Sequence, residues 1–182
     1  MKKHSEIRYS CLFIIFVLSL GLLGYWRGYR LNTLTPSAPF GLWRVAPVEN
    51  FLHRGDYVCV DTNRLMQINS SVLQAHEWGY FGKTLPSGQP YKLLKAIGAV
   101  AKDQVIYDAE KNYLFVNGFP VGQLHKTDSK GRLLPVLSYP YTVPDGHYWL
   151  SSSNEKGFDS RYFGAVPENL VLYRMIPVLI WE

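Results

Sequence analysis

Thr35-Pro36-Ser37-Ala38-Pro39-Phe40-Gly41-Leu42-Trp43 follows closely on the one segment of the chain apolar enough to enter a membrane. Each proline fixes its own φ and pushes the residue before it out of the helical region. Ser37 lies between the two, so its hydroxyl is presented on a stiff, extended backbone. Read alone, the stretch is a Pro-rich turn joining an anchor to a domain. Gly41-Leu42-Trp43-Arg44-Val45 then reads as a strand.

Upstream, Met1 to Arg8 is polar and basic. Cys11 to Trp26 is sixteen residues without a charge. As a helix it spans about 24 Å at 1.5 Å per residue. That is short for a hydrocarbon layer of roughly 30 Å, with Tyr9, Tyr25 and Trp26 placed to sit at the two interfaces. A cleaved signal peptide is the rival reading. The uncleaved anchor is favoured because Tyr25-Trp26-Arg27 stands where a small-residue cleavage site belongs. Basic residues flank both ends, so the charge rule gives only a weak preference for a cytoplasmic N-terminus.

Downstream the punctuation is that of a β domain. His53-Arg54-Gly55-Asp56 reads as a turn and Tyr57-Val58-Cys59-Val60 as a buried strand. Residues 62–78 are expected to form a helix, with Leu65, Ile68 and Val72 on one face. Tyr91 to Val100 reads as a strand, and 103–107 with 113–116 as a hairpin. Asn117-Gly118 is a strong turn signal. Residues 125–140 are polar and loop-like, 141–150 turn into a further strand, and the apolar tail from Met175 to Trp181 reads as a last strand. The fold class expected is mainly β with little helix outside the N-terminal segment.

Composition narrows the function. With 182 residues, 47% apolar and 15% aromatic, the chain fits one compact domain plus an anchor. The formal net charge of +5 is too mild to argue for nucleic acid. Cys11 and Cys59 are expected on different sides of the membrane boundary, so no disulfide joins them. The five histidines are scattered and no His-Glu-x-x-His occurs, so neither a metal nor a cofactor is expected. No Gly-x-Ser-x-Gly is present, although a Ser–His–Asp triad stays open.

Lys95, in Leu93-Leu94-Lys95-Ala96-Ile97, offers a different base. On an extended strand Leu93, Lys95 and Ile97 share one face and Lys92 points the other way. A lysine emerging among aliphatic neighbours has its ammonium form disfavoured. A neutral lysine can take the proton that makes a serine hydroxyl nucleophilic. The other reading of Lys95 is an ordinary strand lysine with its head in water. Further on stands Phe158-Asp159-Ser160-Arg161-Tyr162-Phe163-Gly164.

Taken in order, the segments around Ser37, Lys95 and Asp159-Ser160-Arg161 resemble the serine, lysine and Asp-Ser-Arg boxes of the Ser–Lys signal peptidases. Ser37-Ala38-Pro39-Phe40-Gly41-Leu42 is most similar to the TraF-like, conjugal-transfer pilin peptidase branch. Ala38 and Phe40 depart from the Ser-Met-x-Pro-Thr of general leader peptidases. The resemblance runs from about residue 8 to the C-terminus. Lys95 and Val105 stand ten residues apart, as the lysine and the following strand do in that family. Ala96 replaces its usual arginine, Lys102-Asp103 its Gly-Asp, and 151–155 its Gly-Asp-Asn-Arg. TraF-like enzymes also carry an insert with a Gly-Tyr element before the lysine box, here within 62–90, where a lid or recognition role is one reading.

The resemblance implies a signal-peptidase-like β domain of the LexA and leader-peptidase type. It makes Ser37 the nucleophile and Lys95 the base. It makes Thr35 a second oxyanion donor beside the Ser37 N–H, and Ser160 a hydrogen-bond partner that orients Lys95. Asp159 and Arg161 would form a charge pair pinning the loop beside the lysine. It implies residues 1–10 in the cytoplasm, 11–26 through a bacterial inner membrane, and 27–182 in the periplasm. The expected partners are a precursor substrate, a pilin or a secreted preprotein, and a conjugative transfer complex. The expected function is endoproteolysis of that precursor, with cyclisation open. The alternatives are a general type I leader peptidase and a non-catalytic subunit of a transfer apparatus.

Overall fold

A computed structural model of the chain describes residues 2–33, 36–48, 51–81 and 92–181. Helix α1 (Lys2–Trp26) contains the uncharged segment. Its 18 residues Tyr9–Trp26 are long and apolar enough to cross a membrane. Their large apolar side chains, from Phe13 to Trp26, lie exposed. Gly28, at φ +85°, turns the chain out of α1 into β1 (Tyr29–Asn32). A glycine takes that left-handed conformation without strain. Arg30 secures the turn: its Nη1 donates to the carbonyls of Tyr25 and Tyr29, and its guanidinium lies 3.9 Å from the Tyr25 ring centroid.

The strands that follow are β2 (Phe40–Ala46), β3 (Tyr57–Val60) and β4 (Leu93–Ala99). Next come β5 (Gln104–Asp108), β6 (Tyr113–Val116) and β7 (Phe119–Gln123), then the short β8 (Tyr141–Thr142). The last are β9 (His147–Ser151), β10 (Val166–Pro167) and β11 (Val171–Trp181). Among the described residues they form two sheets, of order β1-β2-β11-β3-β4-β9-β10 and β7-β6-β5-β8. The fold is mainly β, as expected. The hairpin of β5 and β6 pairs antiparallel from Val105↔Val116 to Asp108↔Tyr113. Asn117 and Gly118, both at positive φ, turn β6 into β7. The tail from Met175 is a strand, but one that closes the larger sheet from its middle: β11 pairs with β2 on one side and β3 on the other.

The expected helix over 62–78 is two helices, α2 (Thr62–Ile68) and α3 (Ser70–Glu77). Asn69 breaks it with an extended backbone, φ −139° and ψ 104°. Its Oδ1 accepts from the Val72 N–H and its Nδ2 donates to the Phe163 carbonyl at 2.7 Å. The side chain thus caps α3 and docks it to the downstream chain. The break also swings Ile68 off the shared face: Leu65 and Val72 are buried, whereas Ile68 is 62% exposed.

Among the described residues three buried clusters result. The largest packs α2 and α3 against β3 and β4 through Val58, Val60, Leu65, Val72 and Ile97. The second, around Trp149, Val105 and Leu114, joins the two sheets. The third consists of Ala38, Trp43 and Met175 with Tyr57 packed on it, and lies directly beneath the Ser37 stretch.

Candidate active site

The stretch after β1 is held from both sides. Asn32 Nδ2 donates to the carbonyls of Ala38 and Pro39, each at 3.1 Å, and Trp43 Nε1 donates to Pro39 at 3.3 Å. The Ser153 N–H donates to the Ser37 carbonyl at 3.0 Å. Ala38 and Trp43 are almost wholly buried beneath it. Two prolines stiffen the backbone and four hydrogen bonds fix it, so the Ser37 hydroxyl has little freedom of place. Thr35 lies outside the described residues.

Lys95 comes from β4, whose burial alternates along Leu93, Lys95, Ile97 and Ala99. The register sets Lys95 opposite Val58 of β3 and Ile97 opposite Leu150 of β9. On this central strand the side chain is enclosed by its neighbours, and Lys95 is 2% exposed. Its Nζ is 2.9 Å from Ser37 Oγ, in hydrogen-bonding contact. Burial pushes its pKa down to about 8; the Asp159 carboxylate works upward against that and the Arg161 guanidinium works with it. Lys92, just before β4, is exposed and lines the same cleft, with its Nζ 5.1 Å from the Tyr173 ring centroid.

Asp159 caps the short helix α4 (Ser160–Phe163), accepting from the Arg161 N–H. Arg161 and Asp159 form a buried, two-pronged pair: Nε to Oδ1 at 2.8 Å and Nη2 to Oδ2 at 2.9 Å. The remaining donors of the guanidinium reach the carbonyls of Gln123, Glu155 and Gly157. Asp159 Oδ2 also accepts from the Ser152 N–H. All five guanidinium N–H groups are used, as a fully buried arginine requires. Gly122 makes room for it, since a Cβ there would stand 2.9 Å from Arg161 Nη1.

Ser160 is placed otherwise than expected. Its Oγ accepts from the Leu150 N–H at 2.8 Å, and no hydrogen bond joins it to Lys95 among the described residues. The strand β9 claims the hydroxyl: Leu150 lies in register with Ile97, and Ser160 supplies the acceptor its N–H needs. Asn32 and Ser153, which hold the Ser37 stretch, went unread in the sequence. Each acts through one side-chain or backbone donor, which leaves no motif.

Ser37 and Lys95 open onto a cleft of about 1080 Å³. Its apolar wall includes Tyr80, Phe81, Leu93, Phe158 and Tyr162. Phe158 is stacked on Tyr162 with ring centroids 5.4 Å apart, and Tyr80 meets Phe158 edge-on. A second wall is tied by Asp128, which accepts from Tyr80 Oη at 2.7 Å and from Arg132 Nε at 2.6 Å. The arrangement is a cleft with a half-buried hydroxyl hydrogen-bonded to a buried amine at its base. It has the parts for acyl transfer.

Residues 6–180 match the family model described as signal peptidase, peptidase S26. The chain is 31% identical over 187 residues to the conjugal transfer protein TraF of Agrobacterium fabrum, covering 100% of this chain and 99% of that one. It is 33% identical over 171 residues to a plasmid transfer protein TraF from Escherichia coli, covering 90% of each. A crystal structure of a signal peptidase I from Enterococcus faecalis covers 67% of this chain and 94% of its own, at 18% identity and a TM-score of 0.38.

Proposed function

The chain belongs to the signal peptidase family, peptidase S26, and from that premise we propose that it is a membrane-anchored Ser–Lys endopeptidase that processes an exported precursor, a conjugative pilin by preference. The observation that carries the reading is the 2.9 Å contact between Lys95 Nζ and Ser37 Oγ at the base of the cleft. Lys95 in its neutral form accepts the Ser37 proton as Oγ attacks the scissile carbonyl. The resulting oxyanion is held by the Ser37 backbone N–H, with Thr35 as a second donor. Collapse breaks the C–N bond, and the Lys95 ammonium returns its proton to the departing amine. Neutral Lys95 then takes a proton from the water that attacks the Ser37 ester and delivers it to Ser37 Oγ as the acid product leaves. An amine entering in place of water would close a ring by the same steps.

Asp159, Ser160 and Arg161 are positioning residues in this scheme. The Asp159–Arg161 pair pins the loop against β9 and sets the charge that Lys95 feels. Residues 11–26 act as the anchor, with 1–10 in the cytoplasm and 27–182 on the outer face of a bacterial inner membrane. The names of the relatives support a conjugation system as the setting. The test is labelling of the detergent-solubilised protein by a serine-reactive acyl probe. Mass spectrometry should map the adduct to Ser37, and Ser37→Ala and Lys95→Ala should each abolish both labelling and precursor processing. Labelling unchanged in Ser37→Ala would sink the assignment.

A further inference from the structure

The cleft at Ser37 has a charge bias that acyl transfer does not need. Among the described residues its lining carries, besides Lys95, three cationic side chains, Arg30, Lys92 and Lys156, and a single carboxylate, Asp128. That carboxylate is already engaged, by the Tyr80 hydroxyl, two backbone N–H groups and the Arg132 guanidinium. Lys95 is buried; Arg30 is half-buried. The partners of Arg30 are neutral: the carbonyls of Tyr25 and Tyr29 and the Tyr25 ring. Lys92 has the Tyr173 ring. Lys92 and Lys156 are exposed. No acidic side chain pairs with any of the three among the described residues.

We propose that the cleft selects precursor segments bearing carboxylates close to the cleavage point, read by Arg30, Lys92 and Lys156. This rests on the peptidase reading above and names the substrate class for that same site. A low-dielectric, one-signed cleft focuses field lines and raises both the encounter rate and the residence of an opposite charge. The apolar wall of Phe81, Phe158 and Tyr162 would take the neighbouring uncharged side chains. A basic substrate segment would meet like charge, which supplies rejection as well as preference.

The test uses the full chain in neutral-lipid nanodiscs. Fluorescent peptides spanning a cleavage site are made in matched pairs, with Glu or Gln at the positions flanking the scissile bond. Binding is read by anisotropy on the Ser37→Ala variant, so that it does not depend on turnover. The Glu peptide should bind up to about fivefold tighter per carboxylate at low salt. The difference should fade as ionic strength rises. In the triple variant Arg30→Gln, Lys92→Gln, Lys156→Gln the two peptides should bind alike, and circular dichroism confirms that the variant is folded. Equal binding of both peptides to the unsubstituted cleft, or a Glu preference that survives in the triple variant, overturns the proposal. So does a triple variant that loses affinity for phosphatidylglycerol vesicles while its peptide preference is unchanged, since the cations would then face lipid. A Glu preference in binding with no turnover of either peptide by the Ser37 form keeps this proposal and sinks the peptidase reading.

Discussion

In the proposed mechanism Lys95 must be neutral to accept the Ser37 proton, and burial disfavours its ammonium form. With its pKa lowered to about 8, the neutral fraction rises as pH climbs through that value, and kcat/KM should rise with it. A peptide substrate followed from pH 5 to 10 should give a limb centred near pH 8, kept when His76, His125 or His147 is changed singly to Gln. A limb already flat at about pH 7 and lost with one histidine would favour a histidine base instead. Ile97→Thr should move the midpoint upward, because a polar neighbour on the same strand face solvates the ammonium. The same burial has a cost in stability. The unfolded chain holds its lysine proton up to about 10.4, the folded one only to about 8. Between those values the unfolded state binds more protons, so stability grows with pH; below about 8 the full penalty applies. Lys95→Met should therefore be inactive yet more stable at pH 7, by roughly 3 kcal/mol at most. Thermal unfolding of the two proteins should converge above about pH 10.5. A destabilised Lys95→Met would mean that the amine is better compensated than burial alone allows.

At the scale of elements, the Asp159–Arg161 pair governs the lysine without touching Ser37. Arg161→Met removes the partner of a buried carboxylate and leaves three backbone carbonyls short of a donor. Breaking such a pair costs about 3–5 kcal/mol. It also leaves the Asp159 charge unopposed beside Lys95, so any residual activity should rise with pH later than in the parent. Urea unfolding and the same pH profile check both limbs; an unshifted midpoint would show that the pair acts on the fold alone. That Asp159 also caps a short helix was not legible; the pair itself was, as opposite charges two residues apart within the Asp-Ser-Arg box. So was the inward face of Leu93, Lys95 and Ile97, since alternation on a strand is a two-residue period. Ser160 was not legible: which N–H takes its hydroxyl depends on where β9 passes, and nothing local states that. Asn69 carried its own signal, an Asn at the start of an apolar-periodic run. The amphipathic pattern masked it, for Leu65, Ile68 and Val72 fit one continuous helix until the cap rotates Ile68 away.

For the whole molecule, the two chain ends make opposite demands. Helix α1 leaves its large apolar side chains exposed, so what covers it lies outside the domain, and a lipid layer fits that need. The C-terminal strand β11, by contrast, fills the middle of the larger sheet between β2 and β3. Met175 belongs to the cluster with Ala38 and Trp43 on which the Ser37 stretch rests. Removing the last eight residues would strip β2 of its partners from Met175↔Val45 to Trp181↔Phe40 and open that floor. The sequence marked the tail as a strand; its central place could not be read, because strand order is set by contacts far apart in the chain. A chain lacking 175–182 should accordingly show no cooperative unfolding transition and no acyl-probe labelling at Ser37. A chain lacking 1–26 should keep both, with Tm within a few degrees of the detergent-solubilised parent. Circular dichroism melts and probe labelling on the two truncations decide the point: an intact transition without 175–182 would show that β11 is not the strand that holds the serine stretch in place.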